Sequence, residues 1–131
     1  MGATVKETRV KGLSQPAIQQ VLLYDALDQS HFLVFVTDEF MDYLAVNKTA
    51  CDILGYTREE LLSLRVTDVA VGPDVPEVYR GLIKMGSRKG VTQIRTKSGD
   101  LLPLSYDASE IRIAHLPYYL AIGFIVDPEQ H

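Results

Sequence analysis

The stretch DYLAVNKTACDILGYTREELL, Asp42 to Leu62, decides the fold, because it changes conformation at Asn47, Gly55 and Thr57 and each change has a local cause. Tyr43 to Val46 is a short apolar run with aromatic and β-branched members, the composition of a strand buried on both faces. Asn47 then predicts a helix start, since its side-chain oxygen can accept from the N–H groups of the first turn. Ala50, Ile53 and Leu54 fall on one helical face. Gly55 tolerates positive φ and stands where the helix should stop. Thr57 and Glu60 have the spacing of a capping box for a second helix, with Tyr56 and Leu61 placed as its hydrophobic staple.

Working outward, residues 1–13 are polar and without period, a lead-in. Pro16 suits a first helical turn, and Ala17 to Leu27 reads as a flanking amphipathic helix whose apolar face is too wide for one contact. One side is expected to pack on the domain, or the other to pair with a second copy. Phe32 to Val36 reads as a strand, Asp38 to Asp42 as a turn. Residues 65–76 hold Gly72, Pro73 and Pro76 and read as a loop with at most a short helical turn. Asp74 and Glu77 have capping-box spacing before a helix at about Pro76 to Ser87, with Val78, Leu82 and Met85 as its buried stripe. Strands at Val91 to Thr96, Leu101 to Ile113 and Tyr118 to Val126 complete a meander. Two strands, then helices, then three strands give an α+β architecture, a five-stranded antiparallel sheet with short helices on one face.

The strand ending in Asn47, the helix ending in Leu54-Gly55-Tyr56 and the Glu59-Glu60-Leu61 that follows resemble the signature of the PAS (Per-Arnt-Sim) sensory family. The resemblance runs over about residues 31–127 and includes Thr37-Asp38 closing the first strand and Thr96 to Asp100 as a hairpin turn. It implies a PAS fold over 31–127, a lead-in and flanking helix over 1–30, and a tail over 128–131. It says less about function, because one scaffold hosts many sites.

Composition bounds the rest. The 131 residues make one domain, 47% hydrophobic and 23% charged, with net charge −4, which gives no electrostatic reason to expect contact with nucleic acid. Cys51 is the single cysteine, so no disulfide can form within the chain, and a reducing, cytoplasmic setting is expected. The longest apolar run is too short to span a bilayer. His31, His115 and His131 lack the spacing of metal ligands. No nucleophile elbow, Walker or dinucleotide glycine pattern occurs, so neither an enzyme nor a metal site is expected.

The resemblance sets residue-level tests for cofactors. The light-oxygen-voltage branch forms a flavin–thiol adduct through a cysteine shortly after Glu-Glu-Leu-Leu. Here that position is Val66, which excludes the adduct, and Cys51 reads as a small core residue. The haem branch uses a histidine on the long helix, and residues 76–88 have none. Met85 reads as core, so haem is not expected. What the family pattern leaves is a cavity under the sheet. It points Leu33, Phe35 and Thr37 inward, then Tyr43 and Ala45, then Ile94, Leu104, Tyr106, Ala108, Ala121, Gly123 and Ile125. Leu62, Val78, Leu82 and Met85 would close it. Such a lining suits a small, neutral, apolar or aromatic ligand held by Tyr43, Tyr106 or Thr37. Two readings stay open. One is a ligand-binding sensor from a bacterial-type histidine kinase or transcription regulator. The other is an unliganded module for dimerisation or protein binding. A homodimer of this chain through Ile18, Val21, Leu22 and the outer sheet face is expected, since PAS relatives often dimerise through such an N-terminal helix. The family often ends in Asp-x-Thr; here Asp127-Pro128-Glu129 keeps only the Asp, and Pro128 disfavours a directly continuing helix.

Overall fold

The local signals around Asn47 act as written in the computed structural model, which describes residues 15–127. The expectations for residues 1–13 and for the tail at 128–131 lie outside the described residues. Strand β1 (Leu33–Thr37) and strand β2 (Tyr43–Val46) form a hairpin, closed by Asp38, whose carboxylate accepts from the N–H groups of Phe40 and Asp42. Helix α2 (Lys48–Leu54) is capped by Asn47, which accepts from Ala50 N at 3.0 Å, and stops at Gly55 with φ 81°. Helix α3 (Arg58–Leu62) has its capping box, with Thr57 and Glu60 bonded reciprocally at 3.1 and 2.9 Å.

Ahead of them, helix α1 (Pro16–Asp28) has its apolar residues all round and none buried, so no side of it packs into the domain core. Its last two residues are nevertheless fastened. Asn47 Nδ2 donates to Leu27 O at 2.7 Å and to Phe32 O at 2.8 Å, while Asn47 Oδ1 accepts from Val34 N and Ala50 N, both at 3.0 Å. Asp28 accepts from Lys48 N and from the Arg58 guanidinium, whose Nε reaches Val46 O.

Residues 66–85 are more regular than the glycines and prolines suggested. Helix α4 (Val66–Val69) leads into a two-residue strand β3 (Ala70–Val71), and helix α5 (Val75–Met85) follows, ending at Gly86 with φ 80°. Asp74 precedes α5 but makes no side-chain cap, so the expected capping box is absent. Strands β4 (Ser87–Arg95), β5 (Leu101–Ile113) and β6 (Leu116–Ile125) make the meander. The sheet is antiparallel in the order β2-β1-β6-β5-β4-β3, six strands rather than five, because β3 pairs with Ile94 and Gln93 at the edge. The α+β architecture otherwise stands as expected.

The interior holds two apolar clusters. The larger gathers Leu33, Phe35, Tyr43, Val46, Ala50, Leu54, Leu61, Val69, Ile94 and Leu104. The smaller gathers Tyr79 and Leu82 of α5 with Ala108 and Tyr119 of the sheet. Val66, Tyr106 and Ala121 touch both.

Candidate functional site

Between the two clusters lies a cavity of about 250 Å³, floored by the sheet and roofed by α4 and α5. The floor stays open because its central positions are small. Ala108 and Ala121 face each other across β5 and β6, and Gly90 lies opposite Tyr106, whose hydroxyl and ring carbons stand 3.3 and 3.5 Å from where a Gly90 Cβ would be. That volume falls below the usual range for drug-sized ligands and equals about eight waters at ~30 Å³ each.

The expected inward residues divide by where strand alternation is unbroken. Phe35, Thr37, Tyr43, Ile94, Leu104, Tyr106, Ala108 and Ala121 line the cavity, with Val78 and Leu82 from α5. Gly123 is on the inner face but lies under Leu104, whose Cδ1 would be 2.9 Å from an added Cβ. Leu33 and Ile125 belong to the larger cluster and not to the cavity wall. Ala45 is a correction. Thr37 pairs with Tyr43 and Val36 with Ala45, an irregularity that leaves Tyr43 and Val46 inward and both Leu44 and Ala45 exposed. Leu62 and Met85 are corrections too, 40% and 75% exposed. The buried face of α5 is Val75, Tyr79 and Leu82, not the stripe ending at Met85. Beginning the helix one residue earlier would have revealed that spacing. Tyr79, Tyr119, Val66 and Arg88 also line the cavity and were not foreseen.

Aromatic side chains dominate the wall. Phe35 and Tyr43 have ring centroids 5.4 Å apart, and Tyr79 meets Tyr119 edge-on at 5.8 Å. Tyr79 donates to Asp38 O at 2.6 Å, which uses its one proton, so the 2.5 Å contact with Thr37 Oγ1 requires Thr37 to donate. Burial pushes the Tyr79 hydroxyl pKa up to about 12, with the Thr37 bond opposing and Asp38 reinforcing the shift. Burial, with Tyr79 and Asp68 nearby, raises Tyr43 well above the ordinary tyrosine range.

Tyr43 is only 6% exposed, yet its hydroxyl bonds to no other described residue. No sealed side-chain nitrogen or oxygen lacks a partner among the described residues, so this hydroxyl keeps a small accessible surface, and Tyr43 itself lines the cavity. Cys51 sits on α2 and does not line the cavity, whereas Val66, at the position of the flavin-reactive cysteine in the related branch, does. Among the described residues no group of three or more His, Cys, Asp or Glu could hold a metal.

Comparisons with known proteins agree on the scaffold. A PAS domain from a two-component sensor histidine kinase superimposes with a TM-score of 0.77 at 17% identity, over 86% of this chain and 100% of that one. A domain of a sensory box sensor histidine kinase/response regulator from Geobacter sulfurreducens gives 0.73 at 22% identity, over 86% and 99%. The PAS domain of an HTR-like protein from Haloarcula marismortui gives 0.76 at 18% identity, over 92% and 98%. At these identities the likeness is one of fold. No curated protein matches. The model of the PAS domain family matches residues 30–128, three quarters of the length and the whole of the sheet-and-helix shell just described, and the chain therefore belongs to the PAS domain family.

Proposed function

We propose that the chain is a signal-sensing PAS domain of a bacterial-type signalling protein, a histidine kinase or a transcription regulator. It takes a small apolar or aromatic ligand into the internal cavity and passes the signal through a dimer. One observation carries this reading: a cavity with aromatic walls lined by a nearly buried tyrosine, Tyr43, whose hydroxyl bonds to no other described residue. A guest that bonds to Tyr43 and packs on Phe35 favours one arrangement of the surrounding strands, and the population shifts toward it. Sensor histidine kinases among the structural neighbours supply the context. The domain works in the cytoplasm; among the described residues no helix is long and apolar enough to cross a membrane. In this reading it serves as the sensing part of its protein and not as a catalyst.

Native mass spectrometry of the purified chain, with an absorption spectrum, tests this. A co-purifying mass in the low hundreds of daltons without visible absorption is the expected result. A flavin or haem spectrum overturns the ligand class. A bare chain, with no thermal shift against apolar and aromatic metabolites, favours the second reading, an unliganded module for dimerisation or protein binding.

That second reading has its own support in α1, where Ile18, Val21 and Leu22 are 40–55% exposed, and in Val91 and Phe124 on the outer sheet face, also exposed. Both readings use a homodimer. Leu22→Glu is expected to give monomers in sedimentation, and an unchanged dimer would sink this interface.

A further inference from the structure

We infer that the ligand carries an anionic group, a carboxylate on a small apolar or aromatic body, which Arg88 receives at the cavity rim. This rests on the cavity being a ligand site. Arg88 is placed there by register. β4 sets Arg88 opposite Ala108, Gly90 opposite Tyr106 and Thr92 opposite Leu104. Successive residues of a strand point to opposite faces, so Arg88 shares the inner face with Gly90, Thr92 and the buried Ile94, and it lines the cavity. The row continues from Ala108 to Ala121 and on to Phe35. Two methyl groups thus form a floor with a cation at one end and an aromatic ring at the other. Three strand spacings separate those ends, about 14 Å between backbones, room for a ring and a short chain between the two side chains.

Arg88 is free to accept an anion. Six ion pairs occur among the described residues and Arg88 takes part in none. Its nearest acid on the inner face of β5, Glu110, is bound to Arg112 at 3.3 Å. Asp74, the other charged residue on the wall, precedes α5 while Arg88 follows it, and an eleven-residue helix puts about 16 Å between them. A guanidinium offers a carboxylate two parallel N–H donors, which fixes the guest's orientation as well as its charge.

The test compares 3-phenylpropionate with 3-phenylpropan-1-ol, matched bodies differing in the anionic group, by isothermal titration calorimetry on the ligand-free chain. The acid is expected to bind about tenfold more tightly, with the advantage shrinking as salt rises. Arg88→Gln, an exposed rim substitution whose fold is checked by circular dichroism, should bring the acid down to the level of the alcohol and leave the alcohol unchanged. Equal binding of acid and alcohol, or an acid preference that survives in Arg88→Gln, overturns the inference and leaves the cavity reading standing. Failure of both probes on the unaltered chain also overturns it, and the native mass spectrum then decides the cavity reading separately.

Discussion

Asn47 and Tyr43 lie close in sequence and are almost equally buried, 4% and 6% exposed, yet their polar groups are treated in opposite ways. Asn47 uses both donors and both acceptor positions on backbone groups of α1, β1, α2 and the connection between α1 and β1. Tyr43, on the cavity wall, leaves its hydroxyl without a bond to any other described residue. A buried polar group that is fully satisfied holds elements in register, and leaving any of its partners unpaired is costly. A buried hydroxyl that no described residue satisfies contributes little to holding the fold, and is available to the proposed guest. The region around Asn47 holds the fold, and the region around Tyr43 is where the proposed ligand would exchange.

Substitutions can break or sharpen that contrast. Asn47→Ala strands four buried or half-buried backbone groups and should cost about 3 kcal/mol in urea unfolding; a loss below ~1 kcal/mol would end the claim that this residue is a structural knot. A smaller effect is expected at alkaline pH through Tyr79, whose pKa stands at about 12 in the folded chain against an ordinary 10.0. Its contribution is complete below pH 10 and is lost as pH rises toward 12, because the unfolded chain releases the proton first. Thermal unfolding of the wild type should therefore weaken across that interval, and Tyr79→Phe should weaken less steeply even though it starts from a lower Tm. The smallest change should come from Tyr43→Phe, within about 0.5 kcal/mol of wild type when ligand-free. If that variant is strongly destabilised, the hydroxyl has a structural role and the contrast fails.

The same contrast marks what was legible in the sequence. The knot was readable because its causes are local: an N-cap, a left-handed glycine and a capping box each act within a few residues. The cavity was readable only as far as alternation held, which gave Phe35, Thr37, Ile94, Leu104, Tyr106 and Ala121. It misplaced Ala45 because an irregular pairing shifts parity within β2, a property of two strands together. Arg88 was missed because β4 begins at Ser87, four residues before the alternating run that signals it. Tyr79 was missed because α5 was set to start at Pro76, which left out Val75, the first member of the Val75, Tyr79 and Leu82 face.

The attachment of α1 has a mechanical consequence. Its thirteen residues span about 20 Å, and polar bonds from Leu27 and Asp28 fasten its last turn to Asn47, Lys48 and Arg58. The C-terminal root of the helix is thus anchored next to the end of β2. A tilt of about 10° at that root sweeps the Pro16 end through roughly 3 Å, so a rearrangement too small to open the sheet is magnified at the far tip.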